Sequence, residues 1–212
     1  MSGPVPVASS LADIYPKPAL ATEAPRWNTL VTKFASTYGH QPTFVARSPG
    51  RVNIIGEHID YSLYAVLPMA ITADAIIALS SRPAASQAQT FKVRINNVFD
   101  DKFASSEFEV PIAGNVEIDS TKFEWTNYFK SGLRGALELL RKKNGPDFRP
   151  NDIDITMDGN VPVGGGLSSS AAFVSASALA VMVANGVEKV DKKELTELAI
   201  VSERAVGVNS GG

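Results

Sequence analysis

Apolar residues at Trp27, Leu30, Val31, Phe34 and Tyr38 are spaced three and four apart, the period of one helix face. This predicts a helix from residue 24, with Pro25 in the first turn and Gly39 as the stop. The period then changes. Residues 43–46 and 52–55 read as strands around a bend at Ser48, Pro49 and Gly50, and the Val/Ile/Leu/Ala-rich stretch 65–81 reads as further buried strand. Residues 91–98 and 103–112 alternate as strands do. Helical spacing returns at 125–140, through Trp125, Phe129, Leu133, Ala136, Leu137 and Leu140, and closes on Lys142, Lys143, Asn144, Gly145 and Pro146. Ile153, Ile155 and Met157 alternate in a last strand. A final helix is predicted from Asp191 to about residue 206, where D-K-K-E reads as a capping box with Glu194 at its third position. Residues 1–22, with four prolines, read as an irregular arm before one domain over 23–212. No internal repeat is evident.

Composition narrows the function classes. Of 212 residues, 44% are hydrophobic and 20% charged, with a formal net charge of −2 and no local basic cluster, so nucleic acid is not an expected partner. Absence of cysteine excludes disulfides and thiolate metal sites, and two histidines, His40 and His58, argue against histidine-bound zinc. No charged n-region followed by an apolar core opens the chain, so no secretory signal is read. The longest apolar run, around 171–184, is shorter than the ~20 residues of a membrane span and carries Ser175 and Ser177. It is a buried core helix on this reading, with no membrane partner and a cytoplasmic location expected.

Two stretches concentrate chemistry. Residues 161–173 read V-P-V-G-G-G-L-S-S-S-A-A-F. Three glycines followed by serines at a helix start would present backbone N–H groups at the positive end of a helix dipole, which suits phosphate. A serine-capped turn into a buried helix, without a ligand, fits the same residues. Residues 47–69 read R-S-P-G-R-V-N-I-I-G-E-H-I-D-Y-S-L-Y-A-V-L-P-M. Arg51, Asn53, Glu57, His58 and Asp60 crowd one loop between apolar segments, a donor and acceptor set suited to a polyhydroxylated ligand. A solvated surface turn is the alternative. Neither stretch is a Walker A loop, since no lysine follows Gly166, and no G-x-G-x-x-G dinucleotide fingerprint is present.

G-R-V-N-I-I-G-E-H-I-D-Y with V-L-P-M-A-I resembles the galactokinase signature, and P-V-G-G-G-L-S-S-S-A-A resembles the second motif of the GHMP kinase superfamily. W-T-N-Y-F-K-S-G between them is also similar to galactokinases. The resemblance runs from about Thr43 to the last residue. It implies an α+β fold, the GHMP kinase N-terminal domain (the type named for the second domain of a small-subunit ribosomal protein). In that fold helices pack on one face of a mixed sheet. The implied activity is ATP-dependent phosphorylation of galactose to galactose 1-phosphate, by a monomer, with ATP and Mg2+.

In such kinases the counterpart of Arg51 lies beside the phosphoryl transfer path. Those of Glu57, His58, Asp60, Ser210 and Gly211 line the sugar site. Gly164, Gly165, Gly166 and Leu167 would pass under the nucleotide phosphates, with Ser168, Ser169 and Ser170 at the helix start. Ser169 and Glu203 would hold Mg2+. Trp125 and Tyr128 match the adenine-pocket aromatics, although core packing of an amphipathic helix accounts equally well for Trp125 on spacing alone. The family's catalytic aspartate would fall two positions past residue 212. The resemblance therefore implies an N-terminal part, without the C-terminal domain and inactive alone. Ile59 and Ser62 depart from the family's commoner H-T-D-Y-N form, which keeps N-acetylgalactosamine kinase in view. A galactose- and ATP-sensing transcriptional inducer with a repressor partner is the second rival, disfavoured by the intact serine run.

Overall fold

The computed structural model describes every residue except 1, 2, 57, 58, 60–63, 123 and 205–212. Five strands, β1 (Phe44–Ile55), β2 (Leu67–Arg82), β3 (Thr90–Asn97), β4 (Ser106–Pro111) and β5 (Asp152–Gly159), form one sheet in the order β1-β2-β5-β3-β4. Only β3 and β5 run parallel; the other pairs are antiparallel. Helices α2 (Thr126–Asn144), α3 (Ser169–Ala184) and α4 (Lys192–Glu203) pack together, with α3 against β1 and β2. Helix α1 (Lys17–Tyr38) lies against β2 and β5.

The strand period of two explains this layering. Ala75, Ile77 and Leu79 of β2 and Ile153, Ile155 and Met157 of β5 enter the main core with Phe129, Leu133, Ala176 and Val181. Ile76 and Ala78 point the other way, onto Leu30 and Phe34 of α1. Helices α2–α4 thus cover one face, and α1 adds a cover on the opposite face. Helix α3 is buried on nearly every side, as its unbroken apolar composition requires.

Three local readings change. Helix α1 begins at Lys17, seven residues before the expected start, with Pro18 in its first turn and Pro25 inside. The early turns escape a periodicity argument because their buried member is a charged residue, Glu23. The two strands expected around Pro49 are one strand, β1, whose register shift between Pro49 and Arg51 absorbs the bend. Finally, β2 is well buried only from Asp74 to Leu79. Its pairing with β5 spans Ala75 to Arg82, so the earlier residues pair with β1 as an exposed two-stranded ribbon. Asp191 caps α4, accepting from the Lys193 and Glu194 N–H groups at 2.9 and 3.1 Å, but the reciprocal half of the expected box does not form. Glu194 accepts from Lys143 Nζ at 2.5 Å.

The α1-facing side of the sheet carries two buried carboxylate clusters. Asp74 accepts from Tyr15 Oη at 2.5 Å, from Arg26 Nη1 at 2.6 Å and from Arg47 Nε. Arg26 also bonds Asp158 at 2.5 Å and Glu23 at 2.8 Å. Further along β5, Asp154 takes two bonds from Arg94, at 2.6 and 2.7 Å, one from Arg82 at 2.8 Å, and a contact with His40 Nε2 at 3.2 Å. Burial alone would raise the Asp154 carboxyl, but Arg94, Arg82 and His40 outweigh it and hold it below the usual carboxylate range. A depressed acid stabilises above its unfolded value, about 3.9, and that contribution is lost as pH falls through the lower folded value. Asp154→Asn is expected to cost about 1–3 kcal/mol at neutral pH, since the arginines it leaves are part-solvated. In urea titrations the gap to the wild type should hold from pH 7 to about 5 and close below about 4. A gap that stays constant into acid would refute this account.

Candidate active site

The glycine-rich turn after β5 leads directly into α3. Gly164 and Gly166 have φ of 74° and 68°, a region that glycine enters without a Cβ penalty. Ser168 follows at φ 57°, the one non-glycine residue with positive φ among those described. It occupies the cap position of α3 and makes no side-chain cap bond. The first-turn N–H groups of this 16-residue helix therefore have no capping side chain and sit at its positive end. An anion fits there.

Strand β1 reaches this turn. The Arg51 N–H donates to the Leu167 carbonyl at 3.0 Å. A Cβ on Gly50 would lie 2.9 Å from the same oxygen, 2.9 Å from Val161 Cγ1 and 3.1 Å from Ile71 Cδ1. Glycine at position 50 thus allows the backbone of β1 to touch the backbone of the loop. Gly50→Ala is expected to lower stability by about 1–3 kcal/mol through overpacking. It should also loosen the Arg51 to Leu167 bond. An unchanged thermal midpoint would show that the contact yields freely.

Two more elements converge on α3. Ser170, in its first turn, donates its hydroxyl to Glu203 Oε1 at the end of α4, and Glu203 is only 1% exposed. Trp125 stacks on Phe173 of α3, with centroids 6.4 Å apart and planes at 25°, and Tyr128 lies 5.9 Å from the same ring. Trp125 also donates its indole N–H to the Ala104 carbonyl at 3.0 Å. Trp125 and Tyr128 are half-buried, and Trp125 packs against the main core, as the amphipathic-helix reading of its spacing allows. Both rings contact Phe173, which lies about one helical turn past Ser169 on α3.

The structure brings together Arg51, residues 164–170, Glu203, Trp125 and Tyr128. It is Ser170 that meets Glu203, while Ser169 heads α3 half-buried. Glu57, His58, Asp60, Ser210 and Gly211 lie outside the described residues. Sequence reasoning missed Gly50 and Phe173 as parts of the site. Both stand inside the quoted motifs, but no periodicity marks a close backbone approach or a partner ring. Among the described residues no three His, Cys, Asp or Glu side chains gather as a metal cage. A hydroxyl beside one buried carboxylate nevertheless fits Mg2+, a hard cation that takes few protein ligands and completes its shell with phosphate and water oxygens.

Comparison with known proteins bears on the family and the fold. The family model described as the GHMP kinases N terminal domain matches residues 127–212, and the galactokinase galactose-binding signature matches residues 32–81. The fold recurs in the mevalonate kinase of Methanococcus jannaschii, with a TM-score of 0.57, 20% identity, and coverage of 77% of this chain and 46% of that one. Lactococcus lactis galactokinase, solved with galactose, superposes with a TM-score of 0.67 at 27% identity, covering 87% of this chain and 44% of that one. The molecule is thus a GHMP kinase N-terminal domain. The galactokinase of Candida maltosa is 43% identical over 88% of this chain and 83% of its own length. Those of Schizosaccharomyces pombe and Saccharomyces cerevisiae are 42% and 43% identical over 88% and 98% of this chain. The chain belongs to the galactokinase family. It spans 36% and 39% of the length of the last two relatives. Among the described residues no helix is long and apolar enough to cross a membrane.

Proposed function

We propose that a protein built on this chain is a galactokinase, transferring the γ-phosphoryl group of ATP to the anomeric hydroxyl of galactose. The observation that carries the reading is the Arg51 N–H on the Leu167 carbonyl. It makes the strand of the galactose signature and the glycine-serine loop two walls of one site. The N-terminus of α3 and the backbone of Gly164 to Leu167 cradle the phosphates, and Ser168, Ser169 and Ser170 add hydroxyl donors. Glu203, with the hydroxyl of Ser169 or Ser170, holds Mg2+, which when bound offsets the negative charge of the phosphate oxygens. Trp125 and Tyr128 flank the adenine. Glu57, His58, Asp60, Ser210 and Gly211 bind the sugar, and Arg51 stabilises charge on the group in transfer. We place the protein in the cytoplasm as a monomer.

A test joins this chain to the remaining length of the Schizosaccharomyces pombe relative and follows ADP release. Galactose should stimulate release strongly and N-acetylgalactosamine weakly, while galactose raises the thermal midpoint. The 212-residue chain by itself should bind nucleotide without appreciable turnover. Release indifferent to galactose would overturn the reading, and preference for the acetylated sugar would redirect it to an N-acetylgalactosamine kinase.

A further inference from the structure

We propose that Ser131 is a positioning residue for Glu203, acting from α2 through the end of α4; the proposal rests on the metal-binding role given to Glu203 above. Glu203 ends a 12-residue helix, and terminal turns fray unless something holds them. The hold comes from a neighbouring helix. Ser131 is fully buried, and its hydroxyl donates to the Ser202 carbonyl, one residue before Glu203. That carbonyl lies in the last turn of α4, where it also accepts from the Arg204 N–H, so the Ser131 hydroxyl adds a donor from outside the helix.

Two glycines on α2 make the approach possible. A Cβ on Gly135 would fall 2.1 Å from Ser202 Oγ and 2.9 Å from Leu198 Cδ2, so α4 sits directly on the α2 backbone there. A Cβ on Gly132 would fall 2.7 Å from the Val174 carbonyl and 2.9 Å from the Ala178 nitrogen, so α3 is seated as closely. Helix α2 thereby holds both partners of the Ser170–Glu203 contact at fixed depth. One small-residue face sets the first turn of α3 against the last turn of α4. Generic packing explains the glycines, but a buried hydroxyl aimed at the carbonyl adjoining Glu203 is a directed contact.

The test uses the 212-residue chain with three variants: Ser131→Ala, Ser131→Thr and Ala136→Gly. The last loosens α2 without touching the Ser202 carbonyl. Amide exchange of residues 199–203 should quicken about fivefold in Ser131→Ala, the loss of roughly one hydrogen bond. Ser131→Thr, which keeps the hydroxyl, should restore it in part, and Ala136→Gly should leave this segment no faster than the rest of α4. ADP affinity is then measured with Mg2+ and with EDTA. Ser131→Ala should shrink the Mg2+-dependent gain several-fold and leave the EDTA value unchanged. Unchanged exchange at 199–203, or equal changes in Ala136→Gly, would overturn the positioning role. A wild type that gains nothing from Mg2+ would count against the metal role of Glu203, while the exchange data would still decide whether Ser131 holds it.

Discussion

Asp74→Asn is expected to destabilise the fold by about 3–5 kcal/mol, the range for removing one member of a buried ion pair. Against a total of about 5–15 kcal/mol for a domain, this is a large share of the stability. Asp74 is fully buried, and its carboxylate meets donors from three segments: Tyr15 before α1, Arg26 within α1, and Arg47 on β1. Asparagine keeps the volume but turns an NH2 donor toward this ring of donors. Burial alone would lower the Arg26 pKa, yet bonds and charges from Asp74, Asp158 and Glu23 raise it above the ordinary arginine value. Arg26 would stay charged in the variant with one acceptor fewer. Urea unfolding at pH 7 should show a lower midpoint with an unchanged slope. The Tyr15 phenol, raised first by burial and then by Asp74, should titrate lower in the variant. An exposed pair gives the contrast: Lys33→Ala, which removes a partner of Asp100, should barely move the midpoint, because solvent screens that pair. A loss that small for Asp74→Asn would mean the cluster does not anchor α1.

Which parts were legible follows from what each residue type reports locally. The strands alternate cleanly, since Ile153, Ile155 and Met157 enter the core while Asp154, Thr156 and Asp158 face α1. The helix stops at Gly39 and Gly145 were legible because both residues adopt positive φ, 78° and 85°. Contacts between distant segments left fainter marks. Asp74 stood alone in an apolar run, a sign that a buried carboxylate must have found partners, but nothing nearby named Tyr15 or Arg26. Glu23 and Pro25 disguised the early turns of α1. The exposed ribbon before Asp74 follows from where β5 stops, which is a property of pairing rather than of the β2 sequence. Of the site, the glycine-serine loop was legible from residue type alone. The touch of β1 on that loop was not, because a glycine chosen for close approach looks like any turn glycine.

Arg51→Met should lower kcat about 10²- to 10³-fold in the joined protein described above, the size of losing one preorganised donor to a developing charge. Arg51 lies just past the register shift of β1, where the strand leaves the five-stranded sheet and its N–H is fixed on the Leu167 carbonyl. Its backbone is therefore referenced to the proposed phosphate loop directly, and a guanidinium offers five donors with a permanent charge. The kinetic split identifies its role. A contact made only in the transition state lowers kcat and kcat/KM together, whereas one made equally in the ground state raises KM for ATP with kcat unchanged. The first pattern is expected. Arg51→Lys should recover about tenfold at most, because an ammonium restores charge but not the planar fork. Both substitutions keep the backbone N–H that bonds the Leu167 carbonyl. A large fall in thermal midpoint with kcat preserved would make Arg51 a structural residue and move the charge-stabilising role elsewhere on the loop.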